Sequence, residues 1–324
     1  MERMLSGWRD GETREVHGEM MRLTTEVVVK TLFNSPVPRE IDDLSQASAA
    51  VMERFVSQMK PLTILLGMLP TPSSIQFGRV MRRLDNYIYS LIRERRAGAE
   101  DPGDLLSMLL NARDEDGSRM SDRQLRDELT TLMVAGLDTT ALALSWSLHL
   151  LAVNPETQER LAREVRGILG DAPPGAADLA RLGCVEAAVK ESMRLYPPAW
   201  LIGREAVKDC EIGGRRVAAG TSVIVSQWLA HRDPRYFAEP ERFWPERWAN
   251  EATKNLPKFA YFPFGGGPRV CIGSAFAMLE ATLALAMIVR RFRVDPIPGL
   301  EPTPWAAITL QPRGGVHVKL AQRT

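Results

Sequence analysis

Cysteine is scarce in this sequence: Cys184, Cys210 and Cys271 are the only three in 324 residues. An odd, widely spaced set argues against a disulfide scaffold and for a reducing compartment. The close Cys/His pairs of a zinc site are missing as well. So is an excess of charge of either sign: 41 Lys and Arg stand against 40 Asp and Glu, a net charge of +1. Electrostatics therefore favours neither nucleic acid nor an anionic membrane as the main partner. No segment carries the long uncharged apolar run of a membrane span. The closest, ALALSWSLHLLAV at Ala141–Val153, is too short and contains His149. The opening MERMLSGWRDGETREV is charged throughout, unlike a secretory signal. Repeats and low-complexity segments are also lacking. These absences lead to the expectation of a soluble, cytoplasmic protein.

What is present suits a large globular core, with 45% hydrophobic and 25% charged residues. The first two thirds have helical spacing. Met20, Leu23, Val27 and Leu32 place a helix over 15–33, and further helices fit Ile41–Met59 and Phe77–Arg96. An apolar, proline-bounded loop, KPLTILLGMLPTPSS, separates the last two. A short helix fits Asp104–Ala112. Ser121 and Gln124 form a capping box for a long helix that Pro155 ends at Val153. Helices over Pro155–Leu169 and Cys184–Tyr196 follow. From Cys210 to Gln227 the pattern turns to short β-type runs split by Gly-Gly and Ala-Gly turns. A last helix fits Ile272–Phe292, and GGVHVKL near the end reads as a strand. The expected fold class is mainly α with a small β region, as a single domain over residues 1–324.

One stretch combines residue types that bear chemistry: FPFGGGPRVCIG, Phe262–Gly273. Cys271 stands at the start of an apolar helix, where unpaired N–H groups and the helix dipole favour an anion, so a thiolate is favoured. Gly265, Gly266 and Gly267 have no Cβ, which lets a flat ligand approach the backbone. Arg269 is placed to pair with a carboxylate on that ligand. Phe264 is placed to shield the sulfur, and Gly273 leaves room against the helix. A thiolate, a flat face and a carboxylate partner together describe axial ligation of haem iron, against the plainer reading of a buried cysteine beside a glycine turn.

Phe264, Gly267, Arg269, Cys271 and Gly273 fill every position of the cytochrome P-450 haem-binding pattern, F-x-x-G-x-R-x-C-x-G, and the chain resembles that family. Upstream, Glu191 and Arg194 in KESMRLYPP resemble the family's E-x-x-R on its K helix. The family locks this pair with an arginine from an aromatic-rich stretch. EPERFWPERW offers two, Arg247 in the matching position and Arg242 as the fallback. AGLDTT, Ala135–Thr140, resembles the oxygen-activation motif of the family's long I helix. There Gly136 would let the helix open locally, and Asp138 and Thr139 would relay protons to oxygen. Arg204 stands where the family often has a second arginine for a haem propionate. Trp200, Leu201 and Ile202 would enter the substrate pocket, and their apolar character with that of Leu62–Leu69 suggests a lipophilic substrate. His231 in AHRDP matches a common family stretch and is read as structural.

The resemblance implies a cytochrome P-450 fold, N-terminally truncated, from the D helix to the C-terminus. The family's first helices and strands, its C helix and its B–C loop would lie before Met1. It also implies haem b (iron protoporphyrin IX), held by Cys271 as axial ligand, with Arg269 and Arg204 on the propionates and Ala135 and Gly136 facing the cofactor. The implied activity is a monooxygenase that uses O2. Its electrons would come from a separate ferredoxin or flavoprotein reductase, since no flavin, nicotinamide or iron–sulfur signature is present. The alternative is a non-catalytic haem-binding fragment or remnant of such an enzyme.

Overall fold

The structure is a computed structural model that describes residues 1–35, 72–98, 101–170, 172–249, 253 and 255–323. The helix expected over Ile41–Met59 and the apolar stretch Leu62–Leu69 lie outside the described residues. The chain forms two compact units, one of Met1–Gly7 with Glu15–Leu142, the other of Trp8–Arg14 with Ala143–Thr324.

The first unit is helical. Helix Val16–Phe33 starts where the Glu15 carboxylate accepts the N–H groups of His17 and Gly18, and it ends at Asn34 in the left-handed region. Helix Pro72–Ala97 begins five residues ahead of the expected start, with a proline in the first turn, where its missing N–H costs nothing. Helix Leu105–Asn111 is capped by Asp104, which accepts the Ser107 N–H at 2.9 Å. Arg95 joins these elements. It donates to both oxygens of Asp104 at 2.6 and 2.7 Å and to the Phe33 carbonyl at 3.0 Å. The core gathers Val28, Val29, Phe33, Leu84, Ile88, Ile92, Leu106, Leu125, Leu129, Met133 and Leu137. Each such side chain contributes about 1.5–3 kcal/mol by leaving water.

The long helix is Asp122–Val153, 32 residues. At about 1.5 Å per residue it runs roughly 48 Å. Its expected capping box is present: Ser121 N–H donates to Gln124 Oε1 at 2.9 Å, and Gln124 N–H to Ser121 Oγ at 3.3 Å. By length and composition this helix could cross a membrane, which corrects the reading that no segment carries a run of that kind. Most of its apolar stretch is buried in the protein, as in the core helix of a globular protein.

The second unit packs helix Ser274–Arg291 against Pro155–Leu169 and Gly183–Leu195. Trp146 is buried there. It stacks on Tyr196 with centroids 4.2 Å apart and donates its indole N–H to the Leu310 carbonyl. Strands β1 (Thr13–Glu15), β6 (Phe292–Pro296) and β9 (His317–Gln322) form a sheet in the order β1-β9-β6. Three antiparallel pairs complete the β region: β2 (Ile202–Glu205) with β5 (Ser222–Val225), β3 (Cys210–Ile212) with β4 (Arg215–Val217), and β7 (Thr303–Ala306) with β8 (Leu310–Arg313). The last helix is two residues shorter at its start and one at its end than expected. Phe292 instead opens β6, where Phe292 and Val294 alternate inward in a period of two. Fold class stands as expected, mainly helical with small sheets.

Candidate active site

The cysteine loop is held by its own backbone. Gly265 N–H donates to the Phe262 carbonyl and Cys271 N–H to the Phe264 carbonyl, each at 2.9 Å. Gly265 and Gly267 take φ of 75° and 72°, the left-handed region that a side chain disfavours. Gly266 is extended, and the Phe259 ring lies close over it. A Cβ there would stand 2.4 Å from Cε1 of Phe259. The loop leaves Cys271 and Arg269 exposed and Phe264 and Gly273 half-buried. A Cβ on Gly273 would lie 3.9 Å from the Cys271 sulfur. Helix Ser274–Arg291 starts three residues after the thiol, so Cys271 precedes the helix rather than opening it. Chemically the loop offers one soft ligand on a flat approach, with a guanidinium two residues away. Such a site suits a metal whose other positions a planar cofactor fills.

Glu191 and Arg194 lie on helix Gly183–Leu195 and are fully buried. Three residues apart, they share one helix face. Glu191 Oε1 accepts from Arg194 Nη2 at 2.9 Å, Arg247 Nε at 2.8 Å and the Trp244 N–H at 3.0 Å. Oε2 accepts from Arg194 Nε and from the Trp248 indole, each at 3.0 Å. Arg194 spends its other donors on the carbonyls of His231, Pro240 and Arg242. Arg247 is buried, whereas the Arg242 side chain is exposed, pairs with Glu239 and lies over the Trp244 ring. The structure thus brings Glu191, Arg194 and Arg247 together and leaves Arg242 to contribute its carbonyl. Sequence reasoning missed the two tryptophan donors. Only Trp248 had a signal, an indole directly after the second Pro-Glu-Arg, because Trp244 donates through its backbone N–H. His231, also buried, accepts the Phe262 N–H on Nε2 at 2.9 Å.

Strand β2 brings Ile202 to the loop, with its Cδ1 3.4 Å from where a Cβ on Gly265 would stand. Arg204, two residues on, shares that strand face, is exposed, and donates to the Gly203 carbonyl. Leu201 is half-buried. Trp200 is half-buried with its indole N–H on the Ala307 carbonyl at 2.9 Å.

In the first unit, Ala135–Thr140 run as unbroken α-helix, so the local opening expected at Gly136 is not seen. Gly136 instead admits Val28, whose Cγ2 would stand 3.1 Å from a Cβ there. Ala135 is exposed, and the Thr139 hydroxyl donates to the Ala135 carbonyl at 2.8 Å. Asp138 is buried. Its negative charge reaches His17, whose pKa burial lowers and Asp138, then Glu15, pull back up. The arrangement is a buried acid next to a half-buried alcohol on one helix, which can pass protons.

Comparison with known proteins adds independent findings. The family model for Cytochrome P450 matches residues 2–317. Cyclooctatin synthase of Streptomyces melanosporofaciens is 38% identical over 312 residues, 95% of this chain and 68% of that protein. Cyclooctat-9-en-7-ol 5-monooxygenase of the same organism is 37% identical over 298 residues, 91% of this chain and 65% of that one. Pentalenene oxygenase of Streptomyces avermitilis is 35% identical over 318 residues, 98% and 71% of the two chains. Among solved structures, the heme domain of cytochrome P450DA aligns with a TM-score of 0.87 at 28% identity, covering 100% of this chain and 71% of that one. A cyanobacterial CYP120A1 with retinoic acid bound aligns with a TM-score of 0.87 at 26% identity, covering 99% and 72%. The chain therefore spans about two thirds of the length of these relatives.

Proposed function

Because the chain belongs to the cytochrome P450 family, we propose that it is a haem-thiolate monooxygenase acting on a lipophilic small molecule. It would insert one atom of O2 and reduce the other to water, with two electrons from a separate ferredoxin or flavoprotein reductase. The cofactor is haem, iron protoporphyrin IX. The observation that carries the reading is the exposed Cys271 thiol on a loop held by glycine backbone. The donor set fits the group: one soft sulfur, glycines without Cβ atoms, and exposed guanidiniums at Arg269 and Arg204. When bound, haem supplies iron chemistry toward oxygen, which a thiolate ligand strengthens by donating electron density.

The chain's own residues then have distinct tasks. Cys271 would hold the haem iron through its sulfur, and Arg269 and Arg204 would pair with carboxylates of the cofactor. With haem bound, Phe264 would help shield the sulfur, which is exposed in the structure, and Gly273 would leave space beside it. Asp138 and Thr139 would handle the protons that the reaction consumes, whereas Gly136, with Val28 against its open side, is taken up by helix packing. Glu191, Arg194 and Arg247 are a structural network that fixes the loop's surroundings. Trp200, Leu201 and Ile202 supply apolar surface for substrate. Relatives named for cyclooctat-9-en-7-ol and pentalenene, and a neighbour described with retinoic acid, support a lipophilic substrate.

Turnover with a surrogate reductase and a terpene-like substrate panel tests the reading. Product should form, and Thr139→Ala should keep reductant oxidation while diverting electrons to hydrogen peroxide, because the donating hydroxyl is gone. Bound haem with no product from any substrate would favour the non-catalytic haem-binding fragment. Unchanged coupling in Thr139→Ala would remove Thr139 from proton delivery.

A further inference from the structure

We propose that His231 is a positioning residue that couples the buried carboxylate–guanidinium network to the cysteine loop by holding the Phe262 amide. His231 closes the short helix Gln227–Ala230 and is fully buried. Its two ends serve two different neighbours. The backbone carbonyl accepts Arg194 Nη1 at 2.9 Å, and ring Nε2 accepts the Phe262 N–H at 2.9 Å. An amide can only donate, so Nε2 must carry a lone pair and the ring proton sits on Nδ1. The ring packs against Tyr261 and Phe262, with centroids 5.0 and 5.2 Å away. Protonation of Nε2 would break the bond. Burial, and then the positive charge of Arg194, push the imidazole pKa down to about 3, so the acceptor persists across the working pH range.

From Phe262 the connection continues along the backbone. Its carbonyl accepts the Gly265 N–H, and the Phe264 carbonyl accepts the Cys271 N–H. Hydrogen bonds therefore follow one another from Arg194 through His231 and the Phe262–Phe264 backbone to the thiol-bearing residue. Pro263 follows Phe262 and restricts it to extended backbone, so the amide has little freedom to find another acceptor. An apolar side chain at 231 would leave a buried donor unpaired, and the loop would shift to satisfy it. Position 231 then sets where the sulfur stands without touching it.

The inference rests on the haem-thiolate reading for its spectroscopic test, which uses the full chain loaded with haem. Glutamine at 231 presents an acceptor oxygen at about the reach of Nε2, whereas leucine fills similar volume without one. His231→Gln should keep most of the red-shifted band that a thiolate gives the reduced, CO-bound protein. His231→Leu should convert most of it to the shorter-wavelength band of lost thiolate ligation. A full band in His231→Leu, or an equal loss in both variants, would overturn the role. Hydrogen exchange on the unaltered loaded chain gives a second test. The Phe262 amide should exchange at least ~100-fold more slowly than an unstructured one, and an unprotected amide would overturn the proposal even if His231→Leu failed to fold. If the unaltered chain lacks the red-shifted band, the haem-thiolate reading fails, while the exchange result still decides for His231.

Discussion

Glu280 lies on helix Ser274–Arg291 with both carboxylate oxygens buried and no hydrogen-bond partner among the described residues. Burial alone pushes its pKa from an ordinary 4.5 up to about 8. The folded state thus holds a proton that the unfolded chain has released at neutral pH. The stabilisation is complete below pH 4.5 and is lost as pH rises through 8. Each pH unit between the two values costs roughly 1.4 kcal/mol of stability. Melting curves at pH 5 and pH 8 should show the protein weaker at the higher value. Glu280→Gln, which keeps the shape and carries no charge, should flatten most of that difference. An unaltered pH profile in Glu280→Gln would mean that the carboxyl has found compensation elsewhere.

At the scale of elements, the two Pro-Glu-Arg units separate cleanly by burial. Arg247→Ala would remove one of the two cations that share the buried Glu191 carboxylate, and breaking a buried pair costs about 3–5 kcal/mol. Arg242→Ala would remove a surface pair with Glu239, at under ~1 kcal/mol. Denaturant unfolding of the two variants reads the contrast, and equal losses would contradict the assignment of Arg247. Such residues were legible in the sequence because ion pairing needs particular atoms at fixed offsets, and Glu191 and Arg194 meet that condition. The capping box at Ser121 and Gln124 was legible for the same reason. Strands β1, β2, β6, β7 and β8 were not read from the sequence, because three to five residues carry too little periodicity and pairing partners lie far along the chain. Gly136 shows the other limit. Its spacing identified a motif, but only the packed helices show that Val28 lies against its open side. The acceptor role of His231 was equally hidden, since it depends on an amide 31 residues away.

Across the whole molecule, the three free cysteines report on the state of the proposed haem site. Cys210 and Cys271 are exposed, whereas Cys184 is half-buried, with burial and then Glu164 pushing its thiol pKa up. A thiol reagent added to the haem-free chain should label two cysteines fast and one slowly. Loading with haem should withdraw one fast thiol, identified by peptide mapping as Cys271. Labelling of Cys271 that is indifferent to haem would show that the sulfur is not a ligand. The most direct measurement is the absorption spectrum of the full chain with haem, reduced and exposed to CO. Thiolate ligation by Cys271 predicts the red-shifted band in the unaltered chain and its loss in Cys271→His, with haem retained on the new imidazole. A band unchanged by Cys271→His, or a histidine-like spectrum in the unaltered chain, would contradict the account.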